Sequence, residues 1–95
     1  MRKYEVGLVL TPELEEEALA QFVDKINQWI ADGDGQVLKV DHWGKRKLAY
    51  PIDKFREGYY VFVTAEMSPS AVKTLENNFN ISESVLRYLT IRLEA

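Results

Sequence analysis

A run of basic residues lies beside an apolar segment near the middle of the chain. The residues from Gly44 to Lys54 are Gly-Lys-Arg-Lys-Leu-Ala-Tyr-Pro-Ile-Asp-Lys. Lysine and arginine side chains bind phosphate groups, and a neighbouring aromatic ring offers a flat surface to a base or an apolar side chain. The segment therefore predicts recognition of a partner rather than the making or breaking of bonds.

The charges of the chain are divided between two regions. The formal net charge is −3 and the pI is near 5.1, which argues against nucleic-acid binding over the whole surface. Residues 13–34 hold seven acids and one base, whereas residues 39–56 hold six bases and two acids. We expect a molecule with one acidic side and one basic side.

The side chains that most enzymes and metal sites need are scarce. His42 is the only histidine and the chain has no cysteine, so a metal site or a nucleophilic relay lacks partner residues. We expect an ordinary strand residue at His42 and no metal, cofactor, small-molecule substrate or catalysis. The absence of cysteine fits a reducing compartment. The sequence also lacks any run of 18 apolar residues, which a membrane-spanning helix would need. We expect a cytoplasmic protein without a membrane partner.

Alternating apolar residues predict the strands. Gly44 is expected to join two of the strand segments, and Gly58 to mark the turn that precedes the strongest one. Pro51 lacks an amide donor and belongs at a strand edge or irregularity. The predicted strands cover residues 4–10, 36–43, 46–52, 59–67 and 85–93.

Helical spacing of apolar residues predicts two helices. Thr11 is a good N-cap and Pro12 suits the first helical position, and this helix is expected to end at residues 32–35. Ser68 and Pro69 repeat the same start for a second, shorter helix.

The order βαββαβ predicts an α+β, ferredoxin-like fold in a single domain of residues 1–95, with two helices on one face of a four-stranded antiparallel sheet. The other face has no partner within the chain. The third strand is apolar on both sides, so Tyr60 and Phe62 are expected on the open face. With Trp43 and Tyr88 they form a candidate docking surface.

The segment from Arg56 to Val63 partly resembles the third-strand signature of RNA recognition motifs, which stack bases on sheet aromatics. Tyr60 stands where that motif has a small residue. A free-standing module that binds single-stranded RNA on Tyr60 and Phe62 is therefore an alternative function. A ferredoxin-like enzyme of the acylphosphatase type would need a phosphate loop with a catalytic Arg and Asn, and the sequence has no such loop.

Several segments together resemble the bacterial small-subunit (30S) ribosomal protein S6 family over essentially the whole chain. They are Arg2-Lys3-Tyr4-Glu5, the segment from Gly44 to Lys54, and Gly58-Tyr59-Tyr60 followed by Glu66-Met67. The resemblance implies a ferredoxin-like, non-catalytic protein that binds the central domain of small-subunit ribosomal RNA. It also implies a heterodimer with the small basic ribosomal protein S18, which would supply positive charge that this acidic chain lacks.

Within that resemblance, two groups of side chains are candidate contacts. Basic residues are expected to contact RNA phosphate, most of them along one rim of the sheet: Arg2, Lys3, Arg46, Lys54, Arg56, Arg87 and Arg92. Aromatic residues are expected to contact the partner protein, because burying a ring removes much apolar area from water: Trp43, Tyr50, Tyr60, Phe62 and Tyr88.

Overall fold

Four strands and two helices follow one another in the order βαββαβ in a computed structural model that describes residues 1–93. The last two residues of the predicted domain 1–95 lie outside the described residues. The elements are β1 (Arg2–Leu10), α1 (Glu16–Asp32), β2 (Gln36–Ile52), β3 (Phe55–Met67), α2 (Pro69–Asn80) and β4 (Val85–Arg92). The strands form one antiparallel sheet in the order β2-β3-β1-β4. The predicted α+β, ferredoxin-like fold is confirmed.

One face of the sheet and one side of each helix form the core. Alternate side chains of the two central strands are buried there because strand residues point to opposite faces in turn. They pack against the apolar stripes of α1 and α2. The buried core residues include Val6, Leu8, Leu10, Phe22, Ile26, Ile30, Val61, Val63, Ala65, Met67, Leu75 and Phe79.

Helix α2 begins as predicted. The Ser68 hydroxyl oxygen accepts a hydrogen bond from the Ala71 amide at 3.2 Å, and Pro69 occupies the first helical position. Within the described residues, neither helix is long and apolar enough to span a membrane.

Helix α1 begins later than predicted. Its first residue is Glu16 and its N-cap is Glu15, so the predicted cap at Thr11 is wrong. The Thr11 amide donates to the Ser84 carbonyl at 2.9 Å, which holds Thr11 beside the sheet. Its hydroxyl accepts from the Glu13 amide at 3.3 Å in a turn that precedes the helix. The predicted end of the helix is confirmed, since Asp32 is its last residue.

Strand β2 is longer and less regular than predicted. Gly44 does not separate two strands; it lies within β2 with φ of 84°, where the register against β3 shifts. Such a positive φ suits glycine in a β-bulge. The turn of the β2–β3 hairpin lies instead at Asp53 and Lys54, and Asp53 has φ of 55°.

Gly58 is part of β3 and not a turn residue, which corrects the second turn prediction. It is buried and lies opposite Arg46 in β2. A Cβ atom there would clash with Cγ1 of Val9 and lie 3.4 Å from Cδ2 of Leu48. Gly58 therefore allows the side chains of β1 and β2 to approach each other above β3.

Candidate nucleic-acid and partner interface

The sheet face opposite the helices carries an uncovered apolar cleft. Its residues follow from the strand register, because residues directly opposite each other in an antiparallel pair share a face. Gly7 in β1 lies between Phe62 of β3 and Leu89 of β4, and Glu5 lies opposite Ile91. These five residues contribute to a cleft of about 140 Å³, which we call the sheet cleft. Leu89 is 63% exposed and Ile91 is 46% exposed. The sheet cleft thus presents apolar surface that nothing within the described residues covers.

An aromatic cluster borders the sheet cleft at β2. The Trp43 and Phe62 rings have centroids 4.5 Å apart, and Trp43 is 49% exposed. Indole Nε1 of Trp43 donates to Oδ2 of Asp41 at 3.3 Å. The Arg46 guanidinium lies 5.7 Å from the indole centroid, and its Nε donates to the Trp43 carbonyl at 3.3 Å. The structure thus places Trp43 against Phe62, with Tyr60 on the same face of β3, as the sequence predicted.

Tyr88 lies on the opposite face from this cluster, so its predicted place on the open face is wrong. It is opposite Leu8, a core residue. Its ring packs against Phe79 with centroids 5.4 Å apart, and its hydroxyl donates to Oδ1 of Asn80 at 3.0 Å.

The open face of β4 instead carries Leu89 and Ile91, which sequence reasoning missed as candidate contacts. Alternation along β4 does not reveal this, because the position between them, Thr90, is polar and faces the helices opposite Val6. The Thr90 hydroxyl is buried and has no hydrogen-bond partner among residues 1–93. A polar residue inside and apolar residues outside invert the usual pattern of a half-buried strand.

The basic and apolar segment found in the sequence forms an irregularity near the tip of the β2–β3 hairpin. Lys47 lies opposite Glu57 and Ile52 lies opposite Phe55, so residues 48–51 face a single residue of β3. Extra residues on one strand bend it and increase its twist. The predicted irregularity at Pro51 is confirmed.

The bent hairpin reaches across the open face to β4, although β2 and β4 are opposite edges of the sheet. Nη1 of Arg87 donates to the Tyr50 hydroxyl oxygen at 2.7 Å, and the guanidinium lies 5.8 Å from the Tyr50 ring centroid. Beneath this contact is a cleft of about 290 Å³, which we call the hairpin cleft. Its lining residues are Val9, Leu48, Ala49, Tyr50, Ile52, Tyr60, Arg87, Tyr88 and Leu89.

The candidate phosphate-binding cations lie at two ends of the sheet, which corrects the prediction of one rim. Arg87 lies opposite Val9, whereas Arg92 lies opposite Tyr4 on the helix side. Those two rows are five residue steps apart along the strands, a distance of about 17 Å. One group, which we call the hairpin end, comprises Arg46, Lys54, Arg56 and Arg87. The other, which we call the strand end, comprises Arg2, Lys3 and Arg92.

His42 faces helix α1 and has a structural environment. Its Nδ1 atom lies 2.9 Å from the Tyr59 hydroxyl oxygen in a hydrogen bond, and the two rings pack edge to face. A cleft at this position is lined in part by Leu19, Ala20 and Val23. No group of three potential metal-binding side chains occurs within residues 1–93.

Comparisons with known proteins give a consistent match. The family model of Ribosomal protein S6 matches residues 3–92. A small ribosomal subunit protein bS6 from Moorella thermoacetica is 49% identical over 99% of this chain and 96% of its own length. The corresponding protein from Clostridium acetobutylicum is 47% identical, over 99% of each chain.

Solved structures agree in fold. The crystal structure of 30S ribosomal protein S6 from Thermotoga maritima has a TM-score of 0.90 at 30% identity, covering 97% of this chain and 87% of that one. The C-terminal domain of the MgtC protein from Mycobacterium tuberculosis has a TM-score of 0.62 at 14% identity, covers 99% of this chain and 89% of that one, and shares the fold alone. The chain therefore belongs to the ribosomal protein S6 family, whose members are structural, non-enzymatic proteins of the small subunit of the cytoplasmic ribosome.

Proposed function

We propose that this protein binds the central domain of small-subunit ribosomal RNA together with ribosomal protein S18, with which it forms a heterodimer. The sheet cleft and its aromatic border bind the partner protein, and the hairpin end binds RNA phosphate. The observation that carries this proposal is an uncovered apolar cleft on the same face as a cluster of cations.

The sheet cleft has the composition of a protein-docking surface. Phe62 is a central aromatic residue backed by Trp43, and such residues dominate binding energy at protein interfaces. Leu89 and Ile91 are exposed in the free chain, and full burial of such a side chain contributes about 1.5–3 kcal/mol. Glu5 places a negative charge at this cleft, which favours a basic partner such as S18.

The hairpin end has the better electrostatic environment for RNA. Residues 44–58 contain five cations and only two acids, Asp53 and Glu57. At the strand end, Lys3 lies directly opposite Glu66 and two residues from Glu5, so acids offset part of its charge. The acidic first turn of α1, with Glu16 and Glu17, belongs to the opposite layer of the molecule. RNA is therefore attracted to the hairpin end and repelled from the helical side.

The geometry supports a free-standing RNA recognition module less well than it supports a heterodimer with S18. That function requires Tyr60 and Phe62 to offer ring faces to bases. The Phe62 ring already packs against Trp43 at 4.5 Å. A base stacking on Phe62 would compete with this tilted Trp43 contact, whereas partner binding can include both rings.

Binding of the purified chain to a central-domain fragment of small-subunit ribosomal RNA, with and without S18, tests the proposal. A salt series separates phosphate contacts from other contributions. We expect tight binding only when S18 is present. Equal binding to arbitrary single strands without S18 would support the RNA recognition module instead, and absence of binding in both cases would refute both functions.

A further inference from the structure

We infer that the hairpin cleft binds one unpaired nucleotide of RNA, whose phosphate contacts Arg87 and Tyr50 together. This inference rests on the proposed function and specifies the RNA chemistry that the hairpin end recognises. The sequence predicted that Tyr50 contacts the partner protein. This inference assigns Tyr50 to the RNA instead.

The Arg87–Tyr50 contact leaves donors free for an anion. The tyrosine oxygen accepts from Nη1 of Arg87 at 2.7 Å, so the tyrosine O–H is still available as a donor. A guanidinium has five N–H donors, and this contact uses one of them. Arg87 is exposed and Tyr50 is 57% exposed, so both groups are accessible from solvent. A phosphate at this position accepts from a charged and a neutral donor that already lie next to each other.

The cleft beneath the contact suits a flat, mostly apolar ring. Its volume of about 290 Å³ is close to the lower limit of roughly 300 Å³ for small-molecule sites. Leu48, Ile52 and Leu89 line it with apolar surface, and Tyr60 adds an aromatic ring. Aromatic residues stack on bases of any sequence because every base has a π face. The apolar walls of the cleft fit a base, and the phosphate-binding groups at its opening fit the phosphate joined to that base.

The charges in and around the cleft favour RNA over the partner protein. Arg87 is the one charged side chain among the residues that line it. Arg46 and Lys47 belong to the same hairpin, and Lys54 forms part of its turn. A basic protein such as S18 would place like charges beside these cations, at a cost in free energy. An unpaired nucleotide brings the opposite charge.

The decisive experiment measures the affinity of the chain–S18 complex for the central-domain RNA fragment, using Tyr50→Phe, Arg87→Gln and the double variant. Tyr59→Phe removes a hydroxyl that bonds His42 on the helix side, and Lys73→Gln removes a charge from α2, so these are the matched controls. Affinity for S18 alone is measured for each variant without RNA.

We expect Tyr50→Phe to weaken RNA binding about tenfold, because it removes one hydrogen bond to a charged group. Arg87→Gln should weaken it at least as much and reduce the salt slope by about 0.7–0.9. The double variant should lose less than the product of the single losses, because both groups contact the same phosphate. The controls should bind RNA like the unmodified chain, and Tyr50→Phe should leave S18 affinity unchanged, because Tyr50 lines the hairpin cleft and not the sheet cleft.

Acylation of RNA 2′-hydroxyls identifies the nucleotide. One unpaired nucleotide should be protected by the unmodified chain with S18 and should regain reactivity with Arg87→Gln. Loss of S18 affinity in Tyr50→Phe with unchanged RNA affinity would overturn the inference, as would weakened RNA binding without any protected unpaired nucleotide. Failure of the unmodified chain with S18 to bind RNA would overturn the proposed function as well, so the two failures are distinguishable.

Discussion

The two ends of the sheet allow a comparison of two variants that lose the same number of positive charges at different positions. One variant replaces three hairpin-end cations with glutamine: Arg46, Lys54 and Arg56. The second replaces the three strand-end cations with glutamine: Arg2, Lys3 and Arg92. Each variant removes three positive charges from a chain of net charge −3, so both have a formal net charge of −6. Any difference between them in RNA binding therefore reflects the location of the charges.

We expect the hairpin-end variant to lose far more RNA affinity than the strand-end variant. Each lost phosphate contact reduces the slope of log K against log salt by about 0.7–0.9, so three contacts reduce it by about 2.1–2.7. Fluorescence anisotropy of the labelled RNA fragment with S18, over roughly 50–200 mM salt, measures the slope. The strand-end variant should lose less because Glu66 already lies opposite Lys3. Equal slopes for the two variants, or a reduced slope only for the strand-end variant, would refute the assignment of RNA to the hairpin end.

Three further predictions concern the partner surface and the fold. Phe62→Ala should weaken S18 binding at least tenfold in calorimetric titration without RNA, whereas Ile81→Ala, which truncates an 82% exposed side chain, should not change it. Phe79→Ala should lower the free energy of unfolding in a urea titration by about 3–5 kcal/mol, while Ile81→Ala changes it by less than about 0.5 kcal/mol. Ser68→Ala should cost about 1 kcal/mol of stability because it removes a helix cap, and Thr11→Ala should cost less because Thr11 caps no helix. Equal losses for the members of any of these pairs would contradict the corresponding assignment.

Local signals were sufficient where short-range interactions determine the structure. Ser68 and Pro69 predict the start of α2 correctly, because a cap and its amide lie within three residues of each other. The same pattern fails at Thr11, where a hydrogen bond from its amide to Ser84 holds the residue beside the sheet. The competing bond joins residues that are distant in sequence, so periodicity and capping rules do not detect it.

The two glycine predictions failed because glycine has more than one structural use. Gly44 supplies a positive φ within a bulge of a continuous strand. Gly58 leaves space for Val9 and Leu48 to approach each other. Both uses depend on the pairing of strands, whereas a turn is the commonest local interpretation of an isolated glycine between apolar segments.

The candidate site was predictable in composition but not in arrangement. The basic and apolar segment identifies the hairpin, and the apolar third strand identifies the open face. The contact between Arg87 and Tyr50 spans 37 residues and arises because the bulge at residues 48–51 bends the hairpin over the sheet. Tyr88 faces the helices rather than the open face, where Leu89 lies instead, and only the register of β4 against β1 determines this.

The most direct test of the account is an NMR titration of the isotope-labelled chain, first with S18 and then with the RNA fragment. We predict that S18 alone shifts signals of Phe62, Leu89 and Ile91 on the open face, and that RNA then shifts signals of Arg46 and Tyr50 at the hairpin. Helix α1 should remain unchanged in both steps. Shifts confined to the helical side, or an open face that responds to neither partner, would contradict the division of this surface between a protein and an RNA.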